Sequence, residues 1–179
     1  MRLMFISRID PKKGLEVLLQ AMTLLPDTTT LDIYGRGDDD YVTSLNQMSH
    51  DVGVAHRVRF NGHVEGDAKR AAFAGADLFV FPTHSENFGM VVAESLAEGV
   101  PAIVSHGAPW AELDHHGCGR WIPNTPQAFA TTIEALRTQD LANMGEQGRR
   151  WMATDFNWDQ RAGEMHALLS RLVTQARYR

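Results

Sequence analysis

Glu86 and Glu94 stand eight residues apart, with Phe88-Gly89 between them; the first lies in a loop-like run and the second inside an apolar stretch of helical spacing. Two carboxylates in this arrangement flank a helix N-terminus. The first amides of that helix, those of Phe88, Gly89 and Met90, lack intrahelical partners, and with the helix dipole they favour an anionic or hydroxyl-bearing ligand. Gly89 lets a ligand approach the backbone closely. A carboxylate only accepts hydrogen bonds, so it suits a polyol, whose vicinal hydroxyls donate twice to one Glu. A sugar on one carboxylate and a ribose on the other satisfy both. On the structural reading Glu86 caps the helix and Glu94 is a solvated face residue, and the two carboxylates alone leave both readings open. Arg8 and Lys13 supply opposite charge. Together they offer a fork and a point charge to a phosphate ester, or they are a pair of ordinary surface cations.

These residues need elements to position them, and the hydrophobic pattern supplies an alternation of short runs and helices. Leu3 to Ile6, Leu31 to Tyr34, Val58 to Phe60, Leu78 to Phe81, Ala102 to Val104 and Arg120 to Ile122 are short, mostly β-branched or aromatic, and followed by small or polar residues. Between them Gly14 to Leu25, Asp39 to Val52, Asp67 to Ala74, Gly89 to Glu98 and Pro126 to Arg137 carry apolar residues at spacings of three and four. The pattern predicts an α/β fold, a Rossmann-like doubly wound parallel sheet of about six strands with helices on both faces. Pro26 is expected to stop the first helix. Past the last strand the chain turns all helical. There Trp158, Ala162, Met165, Leu169 and Leu172 form a stripe behind an Asn157 cap. That stripe is expected to pack back across the domain or onto something outside these residues. The whole of 1–179 reads as one domain, with 157–179 as a C-terminal crossing helix.

In such sheets ligands bind beyond the carboxyl ends of the strands, and the residues there are unusually polar. They include Ser7-Arg8, Gly35-Arg36-Gly37, Asn61-Gly62-His63, the run from Pro82 to Gly89, and Ser105-His106-Gly107. With 44% hydrophobic residues and a net charge of −5, the chain can bury a core and has no electrostatic pull toward nucleic acid. One cysteine, Cys118, excludes an internal disulfide, and the chain reads as cytoplasmic with neither a signal peptide nor a spanning segment. Rival motifs are weaker. Gly35-Arg36-Gly37 lacks the third glycine of a dinucleotide fingerprint, and Asp38-Asp39-Asp40 reads as helix-start charge rather than a metal-binding D-x-D. His115, His116 and Cys118 supply too few ligands for a structural metal site, so no metal is expected.

Taken together, Ser7-Arg8-Ile9-Asp10-Pro11-Lys12-Lys13-Gly14, Tyr34-Gly35-Arg36-Gly37, Val58 to Val64 and above all the E-x7-E segment from Pro82 to Pro101 resemble the C-terminal domain of retaining GT-B glycosyltransferases, glycosyltransferase family 4. The resemblance covers essentially the whole chain. It implies that Arg8 and Lys13 neutralise a donor diphosphate and that Glu94 holds the ribose. It assigns the transferred sugar to Glu86 with the amides of Phe88, Gly89 and Met90, and the base to the backbone at His63 and Val64. Gly35 and Gly37 would let the nucleotide lie close to the second strand. No cofactor or metal is implied beyond the nucleoside diphosphate sugar itself. An N-terminal acceptor-binding domain, in cis or in trans, is the implied partner, and the full enzyme is expected to associate peripherally with the inner face of a membrane. The alternative function is a non-catalytic nucleotide-sugar-binding subunit of a split transferase. Where relatives carry a Gly-Gly-Ile-Pro-Glu-like turn this chain has Ser105 to Trp110, which leaves the role of Trp110 open.

Overall fold

Strands form where consecutive residues can be buried on both sides of a sheet. The computed structural model describes residues 1–177, with side-chain surroundings through residue 174. Among the described residues β1 (Arg2–Ile6), β2 (Thr30–Tyr34), β3 (Val58–Phe60), β4 (Leu78–Phe81), β5 (Ala102–Ser105) and β6 (Gly119–Ile122) make one parallel sheet, ordered β3-β2-β1-β4-β5-β6. Its centre is set by Leu3, which lies opposite Leu31 on one side and Leu78 on the other. Every residue of β4 and β5 is buried, as inner parallel strands require. The chain winds outward from β1 to β3, returns to β4 beside β1, and winds outward again to β6. The switch point therefore lies between β1 and β4.

The crossover helices are α1 (Leu15–Met22), α2 (Asp39–Asp51), α3 (Gly66–Ala74), α4 (Met90–Ala97) and the short α5 (Glu112–His115). They are followed by α6 (Pro126–Leu136), α7 (Leu141–Asp155) and α8 (Trp158–Arg177). α1 packs against α2 and α6, and α4 packs against α7. The aspartate run is a helix start: the Asp38 carboxylate accepts from the amides of Asp40 and Tyr41, both at 3.1 Å.

Two expectations about helices need correction, and α7 is a helix to which the sequence pattern gave no bounds. Pro26 does not end α1, which stops at Met22; the Thr23 hydroxyl turns back to donate to the Gln20 carbonyl at 2.7 Å. α7 buries Met144, Gly145, Gly148, Trp151 and Met152 along one face, two of them glycines. Both are glycine for contact, since a Cβ on Gly145 would meet the Gly99 carbonyl oxygen at 2.0 Å and one on Gly148 would meet Leu96 at 3.0 Å. α8 does not pack back across the domain. Trp158 is 84% exposed, and Met165, Leu168, Leu169, Leu172 and Val173 are each more than half exposed. The packing of α7 ends with Phe156, whose ring joins Trp110 and Trp151, and Asn157 then starts a new helix by accepting from the Asp159 amide at 2.9 Å. The last two residues of the expected crossing helix, 178–179, lie outside the described residues. No helix of the described residues is long and apolar enough to cross a membrane.

Candidate functional site

The switch point opens into a cleft of about 920 Å³ between the loops that follow β1, β2, β3 and β4. Its geometry begins with local turns. Beyond β1, Ile9 bridges to Gly37 and donates its amide to the Arg36 carbonyl at 2.8 Å, so the exits of β1 and β2 run together. A Cβ on Gly35 would stand 1.8 Å from the Ser7 carbonyl oxygen, and one on Gly37 would stand 2.1 Å from that of Ile9. Glycine is required at both positions by this approach of two stretches of the protein's own backbone, before any ligand is considered. This reason is independent of the one the resemblance implies, and both glycines line the cleft.

Asp10 then caps a 3-10 turn over Pro11–Lys13, accepting from the Lys12 amide at 2.9 Å, and Gly14 closes the turn at a φ of +64°. The turn is stitched onto the loop after β4. The His84 amide donates to the Lys12 carbonyl at 2.8 Å, and a Cβ on Gly14 would meet the Pro82 carbonyl oxygen at 2.3 Å. The Glu86 amide is held in turn by the Gly107 carbonyl at 2.8 Å. This stitching buries Lys13 and places its ammonium on a Glu86 carboxylate oxygen, 5.2 Å from the centre of the Phe81 ring. A buried cation is not an ordinary surface cation, so that reading of Lys13 falls.

The Lys13 hydrogen bond holds the Glu86 carboxyl below its ordinary range, outweighing the upward push of burial. The amides of Asn87 and Phe88 add to the effect, Asn87 at 3.0 Å. No side chain caps α4 among the described residues, so the amides that begin it behind Gly89 remain for a ligand. Arg8 lies at the opposite wall with 72% of its side chain exposed, 3.9 Å from Asp10, so it is free to swing toward an anion.

At the far end of the cleft Glu94 faces Lys69 of α3, whose ammonium donates to it at 2.7 Å. His63 and Val64 line the wall nearby, and His63 Nε2 lies 2.6 Å from a Glu65 carboxylate oxygen. Trp110 now has a role. It is buried, its indole N–H donates to the Phe88 carbonyl, and its ring packs 5.1 Å from that of Phe88. Trp151 and Phe156 complete the cluster, so the loop entering α4 is held by aromatic groups from the end of α7.

The structure therefore gathers Arg8, Gly35, Gly37, His63, Val64, Glu86, Phe88, Gly89, Met90 and Glu94 on one cleft, with Lys13 directly beneath Glu86. Sequence reasoning assigned Lys13 and Glu86 separate partners, whereas here they are paired with each other. It missed Lys69, Trp151 and Phe156. A lysine on a polar helix carries no local signal, and the two aromatics reach the site only through tertiary packing. Cys118 is buried, its thiol directed at the Leu113 carbonyl at 3.8 Å, which separates it from the neighbouring histidines. Burial pushes that thiol up to about 11.

The model of the family described as glycosyl transferases group 1 matches residues 1–139. The chain belongs to this family. It is 32% identical over 177 residues to a GDP-mannose-dependent alpha-(1-6)-phosphatidylinositol monomannoside mannosyltransferase of Mycobacterium tuberculosis, covering 89% of this chain and 45% of that protein. HepE of Anabaena, solved in complex with UDP and glucose, superimposes with a TM-score of 0.84 at 25% identity, over 95% of this chain and 48% of its own. The C-terminal domain of LpcC, a glycosyl transferase group 1 family protein from Francisella tularensis, shares the fold, with a TM-score of 0.75 at 19% identity, over 88% of this chain and 87% of its own. The chain thus spans about half the length of these longer relatives, and its fold is that of the C-terminal half of a GT-B enzyme.

Proposed function

We propose that the cleft binds the nucleoside diphosphate sugar of a retaining hexosyltransferase, with this chain as the donor-binding domain. The observation that carries this reading is the pair of buried Lys13 and half-buried Glu86 beneath the N-terminus of α4, at the switch point of the sheet. A buried cation, an exposed Arg8 and free helix amides meet the phosphates, while two carboxylates meet hydroxyls. Glu94 takes the ribose, the backbone at His63 and Val64 takes the base, and Glu86 with the amides behind Gly89 takes the sugar. An ammonium has three donors, so Lys13 can hold a phosphate oxygen without leaving Glu86. The Mycobacterium tuberculosis relative is described as GDP-mannose-dependent and the HepE structure holds UDP and glucose, which supports this ligand class without choosing the base.

In the transfer, the bond from the sugar C1 to the diphosphate oxygen breaks with its electron pair going to the diphosphate. The acceptor hydroxyl then bonds through its oxygen to C1 on the face just vacated, and its proton passes to the departing diphosphate oxygen. Arg8 and Lys13 stabilise the charge that develops on the leaving group, so the chemistry needs no divalent ion. The acceptor, a glycan or lipid-linked saccharide at the cytoplasmic face of a membrane, is presented by an N-terminal domain in cis or in trans. Titration of the chain with UDP, GDP and ADP by calorimetry tests the reading. One of them should bind, EDTA should leave binding unchanged, and Glu94→Ala should weaken it. No binding to any of the three refutes it.

A further inference from the structure

Lys69 and Glu94 come from different helices, α3 and α4, and meet only because both helices begin at the same edge of the sheet. Their side chains are 29% and 41% exposed, and an ion pair that open to water contributes little to folding stability. Both residues nevertheless line the cleft. Glu94 has three rotatable side-chain bonds, and among the described residues Lys69 alone donates to its carboxylate, on Oε2 at 2.7 Å. Oε1 is left to accept from a ligand. A vicinal diol donates to a carboxylate with both hydroxyls only when the carboxylate plane is held, because the two O–H directions are fixed by the ring.

We propose that Lys69 is the specificity-determining positioning residue of this cleft, holding the Glu94 carboxylate in the plane that accepts both ribose hydroxyls and so favouring ribonucleotides over deoxyribonucleotides. The role rests on Glu94 being the ribose acceptor. Lys69 need not be displaced by the ligand, since a carboxylate has about four acceptor sites and the ammonium occupies one.

The test is calorimetric titration of the 179-residue chain with whichever of UDP, GDP or ADP binds most tightly and with its 2′-deoxy form, using wild type, Lys69→Met, Lys69→Arg and Glu94→Ala. Lys69→Met should weaken the ribonucleotide about five-fold, as expected for freeing one long side chain, and the deoxy form less, so that the ratio between them shrinks. Lys69→Arg should restore the ratio, and melting temperatures should hardly change. An unchanged ratio in Lys69→Met, tighter ribonucleotide binding, or a fall in melting temperature with the ratio intact overturns the role. If wild type binds none of the nucleotides, the reading of the cleft falls and Lys69 with it. If wild type binds and Glu94→Ala loses binding while Lys69→Met matches wild type, only the role of Lys69 falls.

Discussion

At the scale of single residues the cleft is a set of charges that satisfy one another until a ligand arrives. Lys13 answers Glu86 and Lys69 answers Glu94, so each carboxylate of the cleft is already paired with a cation. Glu94→Ala should weaken nucleotide binding by about 1 to 3 kcal/mol, the usual effect of losing charge-assisted hydrogen bonds to hydroxyls, as read by calorimetry. Lys13→Ala should weaken a nucleoside diphosphate but spare the nucleoside, because a point charge discriminates by the charge it meets. Equal losses for the two ligands would take Lys13 out of the phosphate site. Acid should expose the same pair. The Glu86 carboxyl is held below its ordinary value of 4.5, chiefly by the Lys13 hydrogen bond, so the unfolded chain binds the proton more readily than the folded one. Its stabilising contribution is therefore complete above that value and disappears as pH falls through the depressed folded-state pKa. Glu86→Gln should be less stable than wild type at neutral pH, and the gap should close on acidification in urea titrations. A gap independent of pH would show that the pair does not act electrostatically.

At the scale of elements, the site depends on loops that the protein ties to each other. The Gly14 turn leans on Pro82, the exits of β1 and β2 run in contact, and Trp110 holds the entry to α4. Gly35→Ala should be strongly destabilising, by about 3 kcal/mol or more, because a Cβ at 1.8 Å from the Ser7 carbonyl forces two strand exits apart. Thermal unfolding measures this, and a melting temperature within a degree or two of wild type would refute the close approach. Trp110→Phe should keep the ring packing and lose the bond to the Phe88 carbonyl. A cost of about 1 kcal/mol in stability is expected, with weaker nucleotide binding as the loop loosens. Unaltered affinity would confine Trp110 to the core.

At the scale of the molecule, one sheet with helices packed on it leaves the open cleft and the stripe on α8 exposed among the described residues. Transfer needs the sugar C1, the departing phosphate and an acceptor hydroxyl held at near-attack distance, and on the proposed reading these residues supply the donor side of that arrangement. With water in place of the opposite wall, the field of Arg8 and Lys13 is weakened. The isolated chain is expected to bind a nucleoside diphosphate but transfer no sugar, as assayed with a labelled donor and a panel of saccharide acceptors. Robust transfer by the monomeric chain would mean that the acceptor site lies within it. Removing residues 158–179 should leave the melting temperature nearly unchanged, since the large apolar side chains from Trp158 to Val173 are more than half exposed, and should reduce self-association seen by light scattering.

The sheet and much of the cleft lining are legible in the sequence, because both are written in local terms. Alternating apolar runs specify six strands to within a residue or two, and residues that follow strands in a parallel sheet are delivered to one edge whatever the helices do between them. Glu86, Phe88, Gly89 and Glu94 share one loop and one helix, so their spacing alone placed them together. What only the tertiary structure decided are the pairings between distant segments. Lys13 meets Glu86 across 73 residues and Lys69 meets Glu94 across 25, and no periodicity encodes which charge answers which. That Gly35 and Gly37 must be glycine because the neighbouring strand exit occupies the space of a side chain is likewise a tertiary fact, with no local signal in the sequence. The amphipathic stripe of α8 specifies a helix but not what covers it, since burial depends on surfaces outside the helix itself.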